Sequence, residues 1–237
     1  MKTKLIPSLF ALSAVLAGHS LALTEVTEDF GTGKLDDLLW YQHREAKGKF
    51  SQADGVLNYT ARAKTTPKDF ASIELLTSQP GYNENWEMSL DLSDTSVLAR
   101  NAGIGFMIFN VADRGDRLYV EFFGTSGMAA GVFTNGNPAP AVKLSTKAGL
   151  SKGGIRVRFN KKTKLLTFYV SKTTSSEGYE WVKLGTYSPT GSGGDVNGVW
   201  KMKAADGAFG IQLFGFDLAK PVSAGKLTID NFKLATP

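Results

Sequence analysis

Residues 155–172 read IRVRFNKKTKLLTFYVSK. Ile155, Val157 and Phe159 alternate with Arg156, Arg158 and Asn160. Past a polar NKKTK, Leu166, Phe168 and Val170 continue the apolar set, and Tyr169 and Ser171 continue the other. A period of two on both sides of a basic turn predicts a β-hairpin with one buried and one wet face. The lysines are then a hairpin loop, not a nucleic-acid patch.

The same period runs outward from this hairpin. EWVKLGTY (180–187) follows, with Val182 and Leu184 expected inward and Trp181, Lys183 and Tyr187 outward. GVLNYTARA (55–63), ASIELLT (71–77), WEMSLDL (86–92), GIGFMIFN (103–110) and RLYVEFFG (117–124) are strands upstream; AFGIQLFGFD (208–217) and KLTIDNFKL (226–234) are strands downstream. That is about a dozen strands with almost no helical period, the spacing of an all-β sandwich or barrel. GKLDDLLW (33–40) has room for one turn. DVNGVWKMKAADG (195–207) reads as a loop, and TGSGGDVNG (190–198) and NGNPAPA (135–141) as surface loops. No shift of composition marks a second domain, so residues 23–237 are expected to form one domain of two packed antiparallel sheets.

The last strand carries a phase slip. Leu227 and Ile229 lie in one register, Phe232 and Leu234 in the other, with Asp230-Asn231 between. In a straight strand the two pairs point to opposite faces. A bulge at Asp230-Asn231, where one extra residue shifts the phase and a short polar side chain caps loose backbone groups, resolves the conflict.

Residues 1–22 have the form of an export signal: Lys2 and Lys4, the apolar LIPSLFALSAVLAG, then SLA at 20–22 as a cleavage site. The apolar run is too short to span a bilayer, so a secreted or periplasmic product, free of the membrane after cleavage, is expected. The chain has no cysteine, so stability outside the cell must come from the core. Without Lys2 and Lys4 the formal charge falls from +5 to roughly +3. No basic block points to a nucleic-acid partner.

The chemistry is bounded by what is missing. Cysteine nucleophiles are excluded, and His43 is the one histidine after the signal, too few for a zinc pair. Glycoside hydrolysis needs two carboxyl groups across the scissile bond. Glu87 and Asp91 share a strand face, but four residues separate them by roughly 13 Å, so they read as a solvated face. Glu121 sits between aromatic residues, with Tyr119 and Phe123 on its face. Buried there, it would hold its proton more tightly. Gln212 is an amide in an apolar strand and needs partners or a cleft. The late strands add Arg158, Tyr169 and Trp181. Rings and hydrogen-bonding groups of this kind bind sugars.

The order of these segments resembles the concanavalin A-like lectin/glucanase superfamily. The opening EDFGTGKLDDLLWYQHREAKGKFSQADGVLNYTA has an acidic-aromatic start, a Trp and a strand ending in ADGVL. WEMSLDL, GIGFMIFN and DRLYVEFFG form the middle; IRVRFNKKTKLLTFYVS, FGIQLFGFD and KLTIDNFKL close the chain. The resemblance implies a jelly-roll β-sandwich and an oligosaccharide or polysaccharide partner. It also implies a structural calcium held by Glu28 or Asp29 with Asp230. The Glu-x-Asp-x-x-Glu pattern of the laminarinase-type members is missing. A non-catalytic, lectin-like protein is therefore expected, with ligand contacts at Tyr119, Glu121, Gln212, Arg158, Tyr169 and Trp181. The alternatives are a glycoside hydrolase or sugar lyase using Glu121, and a structural or adhesive matrix protein. GKLDDLLW and GAFGIQLFG are also similar to pieces of exported 3-keto-disaccharide hydrolases, though the LFNG start and FRNI ending are absent.

Overall fold

The structure, a computed structural model, describes residues 23, 25–44, 48–61, 71–93, 103–124, 128–134, 152–202, 207–216 and 221–237. The export signal and the NGNPAPA loop lie outside the described residues. Among these residues no helix is long and apolar enough to cross a membrane.

Among the described residues fifteen strands make two sheets. They are β1 (Val26–Glu28), β2 (Trp40–Arg44), β3 (Gly48–Ala53), β4 (Val56–Ala61), β5 (Ala71–Leu75), β6 (Trp86–Ser93), β7 (Gly103–Asn110) and β8 (Asp113–Gly124). Then come β9 (Met128–Thr134), β10 (Gly153–Asn160), β11 (Leu165–Ser171), β12 (Val182–Ser188), β13 (Val196–Asn197), β14 (Phe209–Phe216) and β15 (Thr228–Ala235). One sheet runs β13-β12-β11-β10-β6-β15-β4-β3, with β1 added on β15; the other runs β2-β5-β14-β7-β8-β9. Every pairing is antiparallel except β12 with β13.

The opening hairpin forms as its pattern requires. β10 and β11 pair from Gly154↔Ser171 to Asn160↔Leu165, and residues 161–164 turn. Ile155, Val157, Phe159, Leu166, Phe168 and Val170 are buried in the core between the sheets. The facing sheet contributes Ile73, Ile104, Phe106, Val120, Phe209 and Ile211. At one end Trp86, Phe159 and Phe209 form a ring cluster, with centroids 5.0–5.8 Å apart. Each such side chain contributes about 1.5–3 kcal/mol on burial, which lets the sandwich hold without disulfides.

The slip in the last strand is a bulge. The register of β15 against β6 shifts between Asp230 and Lys233, and Asn231 adopts φ 49°. Asn tolerates this left-handed conformation. Its N–H donates to Asp230 Oδ1 at 2.7 Å. The extra residue brings Ile229, Phe232 and Leu234 to the same core, each fully buried.

Three expectations change. Tyr187 was expected outward but is buried in the core against Trp200, while Val182 is exposed. The cause is a second register shift, between β11 and β12 at Phe168/Tyr169. The ADGVL run is not a strand end: Asp54 and Gly55, both with positive φ, form a two-residue turn joining β3 to β4. Within the expected 195–207 loop, Val196–Asn197 adds a short parallel strand.

Candidate functional site

β7 is buried at all eight positions. Such a run, apolar on successive residues, marks a strand covered on both faces. Ile104, Phe106 and Ile108 face the sandwich core, while Met107 and Phe109 face away from it. There they form a small second cluster with Phe214, and Tyr119 packs on it. Gly210 makes room for it, because a Cβ there would meet the Phe109 ring at 2.1 Å.

The register lays polar side chains around this cluster. One row across the six-stranded sheet is Tyr41, Glu74, Gln212, Met107, Tyr119. The next is Ser72, Phe214, Gly105, Glu121, with Gly131 beyond. Gln212 and Tyr119 are thus two strands apart, about 10 Å, and Glu121 lies one step along from Tyr119. These three residues share one face, spread from β14 to β8, the strand next to the edge.

Electrostatics separates the two carboxylates of this face. Glu74, on β5, is 6 % exposed. Arg114, from the start of β8, reaches it with both terminal nitrogens, at 2.9 and 2.5 Å, and Gln212 Nε2 donates to it at 2.6 Å. Burial pushes the Glu74 pKa up, but the Arg114 and Gln212 bonds outweigh it and hold the carboxyl below its usual value. The Arg114 guanidinium also lies 4.5 Å over the Phe109 ring. Glu121 is 4 % exposed and has no such help. Desolvation alone pushes its pKa up to about 8, so the carboxyl keeps its proton at neutral pH. Glu121 Oε2, Gln212 Oε1 and Ser72 Oγ are buried with no hydrogen-bond partner among the described residues. Burial also raises the Tyr119 phenol.

Arg158, Tyr169 and Trp181 lie elsewhere, on the outer face of the nine-stranded sheet. Arg158 Nε pairs with Glu87 at 2.5 Å. Arg156 sits 4.4 Å from both the Tyr169 and Trp181 rings, and Trp181 stacks on Tyr179 at 4.3 Å. Gly154 lies under these rings; a Cβ there would meet Tyr179 at 2.7 Å. The six expected ligand residues thus divide three and three between opposite sheets and do not form one site. Asp91, read as part of a solvated face, is 5 % exposed. It accepts bonds from Ser175 N and Oγ and from Asn231 Nδ2.

The expected calcium residues meet at the bulge only in part. Glu28 Oε1 accepts the Phe30 N–H and Asp29 Oδ1 the Gly31 N–H. Asp230 has its pKa raised by burial and by the charges of Asp91 and Asp29. Among the described residues no three carboxylate or imidazole groups are placed to share an ion.

Glu74, Arg114 and Ser72 were not singled out from the sequence. Glu74 carries the same signal as Gln212, a polar residue inside an apolar strand. Arg114 carries none, because its partner is 40 residues away.

No family model matches the chain, and no curated protein does. Solved structures share its fold. The GH43B protein of the Bacteroides ovatus xyloglucan PUL superposes with a TM-score of 0.62 at 16% identity, over 94% of this chain and 42% of its own. A protein described with endo-acting O-glycanases of the human gut microbiota gives 0.57 at 11% identity, over 89% and 98%. Lectin UEA-II complexed with galactose gives 0.52 at 12%, over 90% and 98%. The chain spans about two fifths of the length of the GH43B protein.

Proposed function

We propose that this chain is an exported, non-catalytic carbohydrate-binding protein whose ligand lies on the outward face of the six-stranded sheet. The observation that carries the reading is the meeting of Gln212, Tyr119 and Glu121 on that face, with buried polar atoms of Gln212 and Glu121 left unpartnered. Buried polar groups in folded proteins are normally satisfied, and sugar hydroxyls, donors and acceptors at once, suit both. The fold shared with glycosidases and a galactose-bound lectin supports the same class. Glu74 and Glu121 do not make a hydrolytic pair: three strand spacings and a two-residue step along the strands separate their backbones, roughly 16 Å, beyond either glycosidase separation.

A glycan array tests the proposal. At least one oligosaccharide is expected to bind, and Gln212→Ala should weaken it about tenfold, the worth of one good hydrogen bond to a buried group. An array blank at every spot removes the function. Calcium enters the proposal through Asp29 and Asp230, whose charges meet at the bulge. EDTA lowers the melting temperature if an ion is bound there and leaves it unmoved if not.

One observation favours a second reading. A carboxyl group that holds its proton near neutrality is suited to general-acid work, and Glu121 is one. Under that reading polysaccharide digestion is detectable and Glu121→Gln abolishes it; under the first, no turnover is found.

A further inference from the structure

Glu121 sits on β8, the strand next to the sheet's edge, with a glycine on either side, Gly105 on β7 and Gly131 on β9. Neither position carries a side chain, yet the carboxyl is buried: Glu121 is 4 % exposed, and Gln212, Phe214 and Met107 on the same face are buried as well. Among the described residues the groups that share its face are few, the farthest being Tyr41 on β2. On β8 itself these are Tyr119 and, beyond it, Arg117, whose guanidinium lies 6.0 Å from the Tyr119 ring. β7 and β9 carry no titratable side chain at the facing positions. β14 offers the neutral Gln212. β5 offers Glu74, already bonded to Arg114. Among the described residues no cation forms an ion pair with Glu121. An ionised carboxylate in this place would be a buried charge without a counter-ion, which is strongly disfavoured. A neutral carboxylic acid has a donor and an acceptor to offer, and Oε2 is unpartnered.

We propose that Glu121 recognises its ligand as an undissociated acid, giving a hydrogen bond to an uncharged hydroxyl-bearing group, so that basic pH turns binding off. This rests on the carbohydrate reading above and adds its chemistry. The ligand is neutral at the point of contact, its oxygen accepts from the Glu121 O–H, and its own hydroxyl donates to Gln212 Oε1. An acidic sugar is disfavoured there once Glu121 ionises, because two anions would then share a desolvated spot. The raised pKa of Glu121, a consequence of desolvation, agrees with this geometry.

Binding of three probes, galactose, xyloglucan oligosaccharides and mucin O-glycans, is to be measured by calorimetry from pH 6 to pH 9.5. The probe that binds at pH 6 should lose affinity about tenfold per pH unit above about 8. Glu121→Gln, whose amide keeps a donor and an acceptor, should show no such dependence; Glu121→Ala should bind poorly throughout. Carbon-13 spectra of glutamate-labelled protein, with Glu121→Gln as the assignment control, read the carboxyl directly and need no ligand. Strong binding that is constant across the range, or a Glu121 carboxyl that titrates in the ordinary range, overturns the acid-form proposal and leaves the carbohydrate function standing. No binding of any probe at any pH overturns the ligand assignment together with that function.

Discussion

The two sheets turn very different outer faces away from their common core. On the outer face of the nine-stranded sheet most polar groups among the described residues are closed by the chain itself, with Arg156 Nε the exception, buried and without a hydrogen-bond partner. Arg158 is paired with Glu87, Arg156 lies between Tyr169 and Trp181, and Asp91 is bonded by Ser175 and Asn231. The segment 172–181, with its 3-10 turn at Ser175–Glu177, folds over that face. On the six-stranded sheet Ser72, Gln212 and Glu121 each hold a buried polar atom without a partner among the described residues. Self-satisfied polar groups stabilise a fold; unsatisfied ones oppose it and persist where function requires them. Aromatic and charged residues alone therefore do not mark a site, since both faces have them. The state of their hydrogen bonds does.

If this contrast is right, polar-to-neutral changes should have opposite signs on the two faces. The largest effect is expected at Glu121. Its folded-state pKa, about 8, is raised above the 4.5 of an ordinary glutamate. Its contribution to stability is therefore fully present below about pH 4.5 and is lost as the pH rises through about 8. The loss accumulates at about 1.4 kcal/mol per pH unit. Glu121→Gln lacks that slope. Urea denaturation at pH 5 and pH 8 should show the variant gaining about 4 kcal/mol on the native chain between the two. Parallel pH profiles would mean that Glu121 is not protonated in the fold, and the contrast between faces would fail.

Asp91→Ala should go the other way. It leaves Ser175 N, Ser175 Oγ and Asn231 Nδ2 without their acceptor in a buried place. The expected cost is about 2–3 kcal/mol, typical of orphaned buried partners of a charged group. The same urea denaturation should show it, with glycan binding intact. A variant as stable as the native chain would mean that the 172–181 cover does not depend on its anchor.

Alternation told which side chains go in and out, and so the sandwich was legible in the sequence. The β10–β11 hairpin and the bulge at Asp230-Asn231 were both readable, the latter because a phase slip coincided with residues suited to a left-handed turn. The slip in β12 was not, because Leu184, Gly185 and Thr186 offer no apolar pair to betray it, and Tyr187 was placed on the wrong side. Alternation also says nothing of which sheet a strand joins. Strand order is set by contacts between distant residues, as when β15 inserts between β6 and β4. Gln212, Tyr119 and Glu121 were therefore found one by one from their polar or mixed surroundings. That they share a face, while Arg158, Tyr169 and Trp181 share another, required the register. The Glu74–Arg114 pair was hidden for the same reason.

The smallest effect sharpens the comparison most cheaply. Arg158 and Glu87 form an ion pair at 2.5 Å, but their side chains are 44% and 23% exposed. Water and salt screen such a pair, so Arg158→Ala should cost no more than about 0.5 kcal/mol. It should also leave glycan affinity where it was, because the nine-stranded face takes no part in binding. The Glu87 carboxylate is left near solvent, which limits the penalty of losing its partner. A large loss of glycan affinity in this variant, with an unchanged melting temperature, would move the ligand to the other sheet. The closed hydrogen bonds of that face would then be the resting state of a site, and the unpartnered atoms around Glu121 would need another explanation.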